Sequence, residues 1–296
     1  MSRHAQFHEA IVTGAERLTP NMVRIRFGGV DLGRFVSSGQ ADERLSVIFP
    51  LPGTDRPPRP TLSNGIYGYP DDATRPPMRS YTVRRWDPVA AEMIIDFVVH
   101  EGGVAAQWAL AAAVGDRVGM TGADGWYGPP VDAGWQLLVA DMTALPAAGR
   151  IVEELPPGAR AHVIIEVIDP ADEQRFETRG DVTYQWLHGT GHGRTESALP
   201  AAVRAFPLPD GPGYLWFAGE ASASRTVRKY VRGELGWPAS RFEILGYWRV
   251  RKEEWLARFD VVRDEMKSAL AHANSVGSNK NEARALYDEA LERAGL

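Results

Sequence analysis

The sequence predicts a β + α/β protein: an N-terminal antiparallel β-barrel, then a domain built on a parallel sheet, then a C-terminal helical extension. Residues 1–132 break into short apolar runs separated by turn residues, the pattern of a small barrel. From 133 to 250 such runs alternate with segments of helical spacing, the pattern of a sheet covered by helices. From 251 to 296 apolar residues recur at helical spacing alone. A chain of 296 residues is long for one core and comfortable for two domains.

In the barrel half, strands are expected at Ala10–Thr13, Met22–Phe27, Leu45–Phe49, Ser80–Arg84, Met93–Val99 and Arg117–Met120. Pro50–Pro77, rich in proline, glycine and aspartate, reads as one long irregular loop, of a length that serves a site or moves. In the α/β half, strands are expected at Gln136–Ala140, His162–Ile168, Val182–Leu187, Tyr214–Ala218 and Phe242–Leu245, with helices near Ala144–Glu154, Ser197–Ala205 and Ser222–Leu235. Ligands of such sheets bind beyond the carboxyl ends of the strands, which singles out Asp141–Pro146, Gly189–Arg194 and Gly219–Ala223; none contains GxGxxG. In the extension, Trp255, Phe259, Val262, Met266 and Leu270 form one helical stripe. Ala283, Leu286, Tyr287, Ala290, Leu291 and Ala294 form a second after a break at Asn274–Asn281, so two amphipathic helices are expected.

Composition narrows the chemistry. Hydrophobic content of 44% and charge of 24% are those of a globular protein, and a formal net charge of −5 gives no reason to expect nucleic acid or an anionic membrane as partner. Met1–His8 lacks an apolar signal core and no apolar window is long enough to span a bilayer, so a cytoplasmic location is expected. Cysteine is absent, which excludes disulfides, catalytic thiols and thiolate-ligated iron-sulfur clusters; any electron transfer needs an organic cofactor or a metal on harder ligands.

The stretch from 79 to 108 carries the sharpest chemical signal. Arg79-Ser80-Tyr81-Thr82 ends one strand, and Asp96-Phe97-Val98-Val99-His100-Glu101-Gly102-Gly103 ends the next at the mouth of a helix. A tyrosine ring can lie against an isoalloxazine, an arginine can pair with diphosphate oxygens, and a glycine-opened helix offers free N–H groups to the same phosphates. This reads as a flavin site. Alone, R-S-Y-T is an ordinary strand sequence; the helix start and the α/β half strengthen the reading.

Taken together the segments resemble the siderophore-interacting protein family, flavin-dependent ferric-siderophore reductases with a ferredoxin-reductase-like fold. The marks are R-S-Y-T at 79–82, D-F-V-V-H at 96–100, the helix start at Gly103–Trp108, D-M-T-A-L-P-A at 141–147, A-G-E-A-S at 218–222 and G-Y-W-R at 246–249. The resemblance implies that Arg79, Ser80, Tyr81 and Thr82 hold FAD, with Asp96 and His100 beside it and Gly103, Val104, Ala105 and Ala106 presenting backbone to its phosphates. It implies NADPH or NADH in the second domain, with Asp141, Thr143, Ala144 and Glu220 near its nicotinamide end and Tyr247 and Trp248 supplying aromatic surface. Apart from the resemblance, Arg249, Arg251 and Lys252 form a small basic group after the aromatic pair; Arg249 and Lys252 are read as meeting an anionic ferric siderophore, with an acidic electron-donor protein such as ferredoxin or a solvated helix start as the alternatives. Catalytic residues in the usual sense are not expected, because dividing a hydride into single electrons is the work of flavin and electron gain loosens iron from its chelator.

Two departures bear on substrate. Ser46 stands where some members of the family carry a basic residue, and Asp124 where a turn would carry arginine, which favours a hydroxamate or mixed ferric chelate over a tricatecholate. Alternatives outside this reading are a flavoprotein reductase of another acceptor, such as a quinone or free flavin, and a siderophore-binding protein without catalysis. His188 and His192 have a spacing that suits metal on a helix, but the glycines at 189, 191 and 193 oppose a helix and fit a pyrophosphate cradle or a surface loop equally. Asp169 could contact a ribose or simply shape a turn.

Overall fold

The computed structural model describes residues 7–63, 66–70, 73–99, 103–277 and 280–296. The chain forms two compact units, one of residues up to 127 with 143–157 and 168–179, the other of 128–142, 158–167 and 180–296.

In the first unit, β1 (Phe7–Thr19), β2 (Met22–Gly28), β3 (Arg44–Ile48), β6 (Met78–Thr82), β7 (Arg85–Asp87), β8 (Glu92–Val98) and β9 (Arg117–Thr121) make an antiparallel sheet in the order β6-β3-β9-β1-β2-β8-β7. The two edges are one strand. After β6 pairs with β3, the chain bends at Val83-Arg84, where the Val83 N–H donates to the Glu43 carbonyl and the Arg84 N–H to the Ile94 carbonyl, and β7 pairs with β8. This bend lets one run of chain pair with β3 at its start and with β8 at its end, which curls the sheet into a barrel. Inside lie Val12, Ile25, Phe27, Leu45, Val47, Met93, Ile95, Phe97, Val118 and Met120, the inward alternates of their strands.

β1 is much longer than its apolar run. Register shifts at Val12/Gly14 and Arg17/Thr19 break the alternation, so the polar half of the strand carries no period-two signal although it pairs fully with β2. Pro50–Pro77 also holds a short ribbon, β4 (Thr61–Ser63) with β5 (Ile66–Gly68). Helix α1 (Val104–Ala111) follows β8. Helix α2 (Leu145–Glu153) belongs to this unit and buttresses the strand bend: Arg150 donates to the Val83 carbonyl (2.8 Å), and Arg84 grips Glu153 with two bonds (2.7 and 2.6 Å). Asp169 caps the short turn 170–172, and Asp172 ties that turn to Thr19 and Asn21 (2.6 and 2.9 Å), so the aspartates of this segment are structural.

The second unit is a five-stranded parallel sheet, β10 (Trp135–Asp141), β11 (Arg160–Val167), β12 (Asp181–His188), β13 (Gly213–Glu220) and β14 (Phe242–Trp248), in the order β12-β11-β10-β13-β14. Every residue of β10 and β13 is buried, which explains their unbroken apolar runs. Helices α3 (Leu199–Ala205) and α4 (Ala221–Lys229) pack Leu199, Val203, Ala223 and Val227 on sheet residues Leu137, Val139, Leu215 and Phe217. A π-helical turn at Tyr230–Glu234 completes α4.

The extension contains three helices where the periodicity predicts two: α5 (Lys252–Val261), α6 (Arg263–Val276) and α7 (Lys280–Arg293). The chain turns at Val262 and again at Gly277. Trp255, Phe259, Val262 and Met266 share one cluster with Tyr287, Ala290 and Leu291, so the apolar spacing runs through the first turn without marking it. Among the described residues, no helix is long and apolar enough to cross a membrane.

Candidate functional site

In the barrel unit the R-S-Y-T segment forms β6, with Arg79 and Ser80 exposed, Tyr81 half-buried and Thr82 buried. The Tyr81 ring lies 4.3 Å from that of Phe97 on β8. Phe97 also meets Trp108 of α1, which stacks parallel on Phe27 and edge-on to Phe49 (5.2 Å). This aromatic column joins β6, β8 and α1. Trp108, its centre, entered the sequence reading only as the end of the Gly103–Trp108 helix start and not as a site residue; a tryptophan on an alanine-rich helix was its signal. Burial holds the Tyr81 hydroxyl far above the ordinary phenol value, against the pull of Arg79, so the ring stays neutral.

Three features fit a dinucleotide with a flavin end. Among the described residues the Arg79 guanidinium donates to the neighbouring Met78 carbonyl (2.8 Å) and makes no ion pair. The Thr82 hydroxyl is shielded from solvent and has no hydrogen-bond partner among the described residues, a state that proteins seldom leave uncompensated. At the start of α1, Gly103 is the cap residue with no side-chain cap, and the N–H groups of Val104, Ala105 and Ala106 have no partner among the described residues. Asp96 is differently occupied: its carboxylate is 1% exposed and both oxygens are taken by Arg24 (2.7 and 2.8 Å), so it braces β2 against β8. His100 falls outside the described residues.

In the second unit a cleft of about 510 Å³ opens at the carboxyl ends of the strands. Asp141, Glu220 and Trp248 share its wall; Thr143 and Ala144, at the start of α2, and Tyr247 do not. The Trp248 indole N–H donates to Asp141 Oδ2 (2.5 Å), fixing the ring across the end of β10. Glu220 caps α4: Oε2 accepts from the Ser222 N–H and hydroxyl and the Ala223 N–H, and Oε1 from the Val250 N–H (3.3 Å). That carboxylate therefore ties the segment after β14 to the helix start.

The opposite wall is the loop after β12, pinned by Glu166 at the end of β11. Glu166 Oε1 accepts from the Thr190 hydroxyl and the Ala198 N–H, both at 2.7 Å. Gly191 is left-handed (φ +71°) and so close that a Cβ would sit 2.0 Å from Glu166 Oε2. His192 is left-handed too (φ 56°), lines the cleft, and buries Nε2 without a partner among the described residues. Glu166 was not singled out by sequence, its sign being the acid inside the apolar run of β11, whereas His192 lies in Gly189–Arg194, one of the segments expected to meet a ligand. The Arg249 guanidinium is half-buried and stacks 4.2 Å over the Trp255 ring, while the Lys252 side chain falls outside those described. Ser46 faces Ser80 across β3 and β6. Asp124 exchanges backbone hydrogen bonds with Arg44, whose guanidinium lies 4.6 Å over Trp126.

Comparison with known proteins places this geometry. Residues 11–127 match the siderophore-interacting FAD-binding domain and residues 133–251 match siderophore-interacting protein. The chain belongs to the siderophore-interacting protein family. An uncharacterised protein of Mycobacterium tuberculosis is 34% identical over 285 residues, 90% of this chain and 97% of its own. The NADPH-dependent ferric-chelate reductase of Escherichia coli is 29% identical over 249 residues, 83% of this chain and 94% of its own. The crystal structure of a siderophore utilization protein from T. fusca superimposes with a TM-score of 0.74 at 34% identity, over 82% of this chain and 93% of that one. Barrel and parallel sheet together are the ferredoxin-reductase-like fold, and the expected flavoprotein class is the family's.

Proposed function

We propose that this protein reduces ferric siderophores in the cytoplasm, taking electrons from a nicotinamide dinucleotide. The observation that carries the proposal is the buried Thr82 hydroxyl, partnerless among the described residues, beside an Arg79 with no ion pair among them and an α1 start with no side-chain cap, in a chain of an FAD-binding family. In this reading Arg79 pairs with the diphosphate of FAD, Val104, Ala105 and Ala106 donate backbone N–H groups to it, and Thr82 gains a partner on its flavin end. Tyr81, neutral and packed on Phe97, gives an apolar face and takes no proton. Asp96 acts through Arg24, holding β8 in place. FAD supplies the conversion of a hydride donor into single electrons. Ferric iron held by hard oxygen donors is loosened on gaining one of them, so reduction is release.

The cleft of the second unit is the proposed dinucleotide site. The loop that Glu166 pins forms one wall, and the indole that Asp141 orients forms the other. Arg249 is the proposed cation for an anionic chelate. Ser46 and Asp124 add no positive charge, which favours a hydroxamate or mixed chelate over a tricatecholate. The test is anaerobic turnover of ferric chelates with NADH, NADPH or reduced ferredoxin in the presence of a ferrous trap. Turnover of a hydroxamate ahead of a tricatecholate supports the reading. Failure with every chelate but rapid turnover of a quinone refutes it.

A further inference from the structure

Helix α4 turns one side to the dinucleotide cleft through Ala223 and Thr226, and another to α7 through Arg225, Arg228, Lys229 and Arg232. Between these cations and α7 runs a groove of about 290 Å³. Three of the four are answered singly from α7: Arg228 by Asp288, Lys229 by Glu292 (2.7 Å) and Arg232 by Glu289 (3.8 Å). Arg225 is left over. It has no ion-pair partner among the described residues, and its Nη1 is shielded from solvent with no hydrogen-bond partner.

A second uncompensated guanidinium stands near it. Arg249 is half-buried over Trp255 and has no ion-pair partner among the described residues. Its affinity for the proton is held down first by burial and then by the charge of Arg225; Glu220 works the other way, but its oxygens already accept four hydrogen bonds. Arg228, buried in the same cluster, is pushed down to about 9 by burial and by Arg284. Like charges withdrawn from water are costly unless a counter-charge joins them. A guanidinium fork matches the oxygens of a tetrahedral oxyanion.

We propose that the groove between α4 and α7 binds a small oxyanion of the phosphate type, gripped by Arg225. The site needs neither FAD nor the iron chelate. The same chemistry is offered by free phosphate and by a phosphate ester on a dinucleotide.

The test is calorimetric titration of the full-length, flavin-loaded protein with inorganic phosphate, ionic strength being held constant with chloride. One saturable site is expected. Arg225→Gln should weaken it at least about tenfold, the loss of a charge-assisted pair of hydrogen bonds, whereas Arg160→Gln, at the exposed first residue of β11, should leave it unchanged. Displacement by NADPH but not by NADH identifies the ester as occupant; displacement by neither identifies free phosphate. Absence of a saturable site overturns the proposal, as does unchanged affinity in a folded Arg225→Gln protein. If that variant does not fold, Arg225→Lys decides in its place: weaker binding supports the fork, and equal binding refutes it.

Discussion

Thr82→Val should move stability and cofactor affinity in opposite directions. The Thr82 hydroxyl is buried without a partner among the described residues, and residue 82 is only 4% exposed. A buried unsatisfied hydroxyl costs about 1–3 kcal/mol, and valine removes it while keeping the shape of the side chain. The flavin-free protein should therefore gain about 1–2 kcal/mol, which for a unit of this size is about 2–4 °C of melting temperature per kcal/mol. If FAD supplies the missing partner, the same substitution removes that contact from the complex and weakens binding by roughly 5- to 150-fold. The assay is thermal melting of the flavin-free protein by circular dichroism, with titration of FAD followed by quenching of its fluorescence. Thr82→Ser, which keeps the hydroxyl, should bind FAD nearly as the parent does. A Thr82→Val protein that melts lower than the parent, or binds FAD with equal affinity, would refute the reasoning.

Other substitutions probe the remaining structure. Gly191→Ala must move the loop away from Glu166, so the KM for the dinucleotide should rise with flavin content unchanged; Gly189→Ala, left-handed but with open space, should cost only about 1 kcal/mol of backbone strain and change KM little. Steady-state kinetics on the two variants separates packing from strain. Asp96→Asn leaves Arg24 without its carboxylate, and since Arg24 is 22% exposed the loss should sit near the lower end of a broken buried pair, about 3 kcal/mol, read as a fall in melting temperature. His8 is held below its ordinary value of 6.5, chiefly by burial and against its bond to the Asp31 carbonyl, so the folded state binds fewer protons there. Its contribution to stability is complete above 6.5 and is lost as pH falls through the lower folded value. A His8→Gln protein should show a flatter melting temperature between pH 7 and pH 5, roughly the window of that titration.

Much of this architecture was legible because burial writes itself into residue order. β2 alternates from Val23 to Phe27, and β10 and β13 carry apolar runs at Leu137–Ala140 and Tyr214–Ala218, since each is buried in a simple way. The closing bend at Val83-Arg84 was not legible: it depends on Arg150 and Glu153 of α2, far along the chain, and looks locally like one continuous strand. The turn at Val262 was hidden because both flanking helices feed the same apolar cluster. At the candidate site the segment 79–82 stood out by residue type. Whether Asp96 was free or spent on Arg24, however, is a cross-strand fact that no linear pattern records. Glu166 was overlooked for a similar reason: its partners, Thr190 and Ala198, come from a loop whose position the sheet alone determines.

The central claim is that the barrel unit holds one FAD through which electrons reach iron. The most direct measurement is the visible spectrum of the purified protein under nitrogen, as a nicotinamide dinucleotide and then a ferric chelate are added with a ferrous trap. The account predicts a yellow protein that bleaches with the dinucleotide and recovers its colour as the trap reports ferrous iron. A folded preparation that stays colourless after incubation with FAD would contradict it.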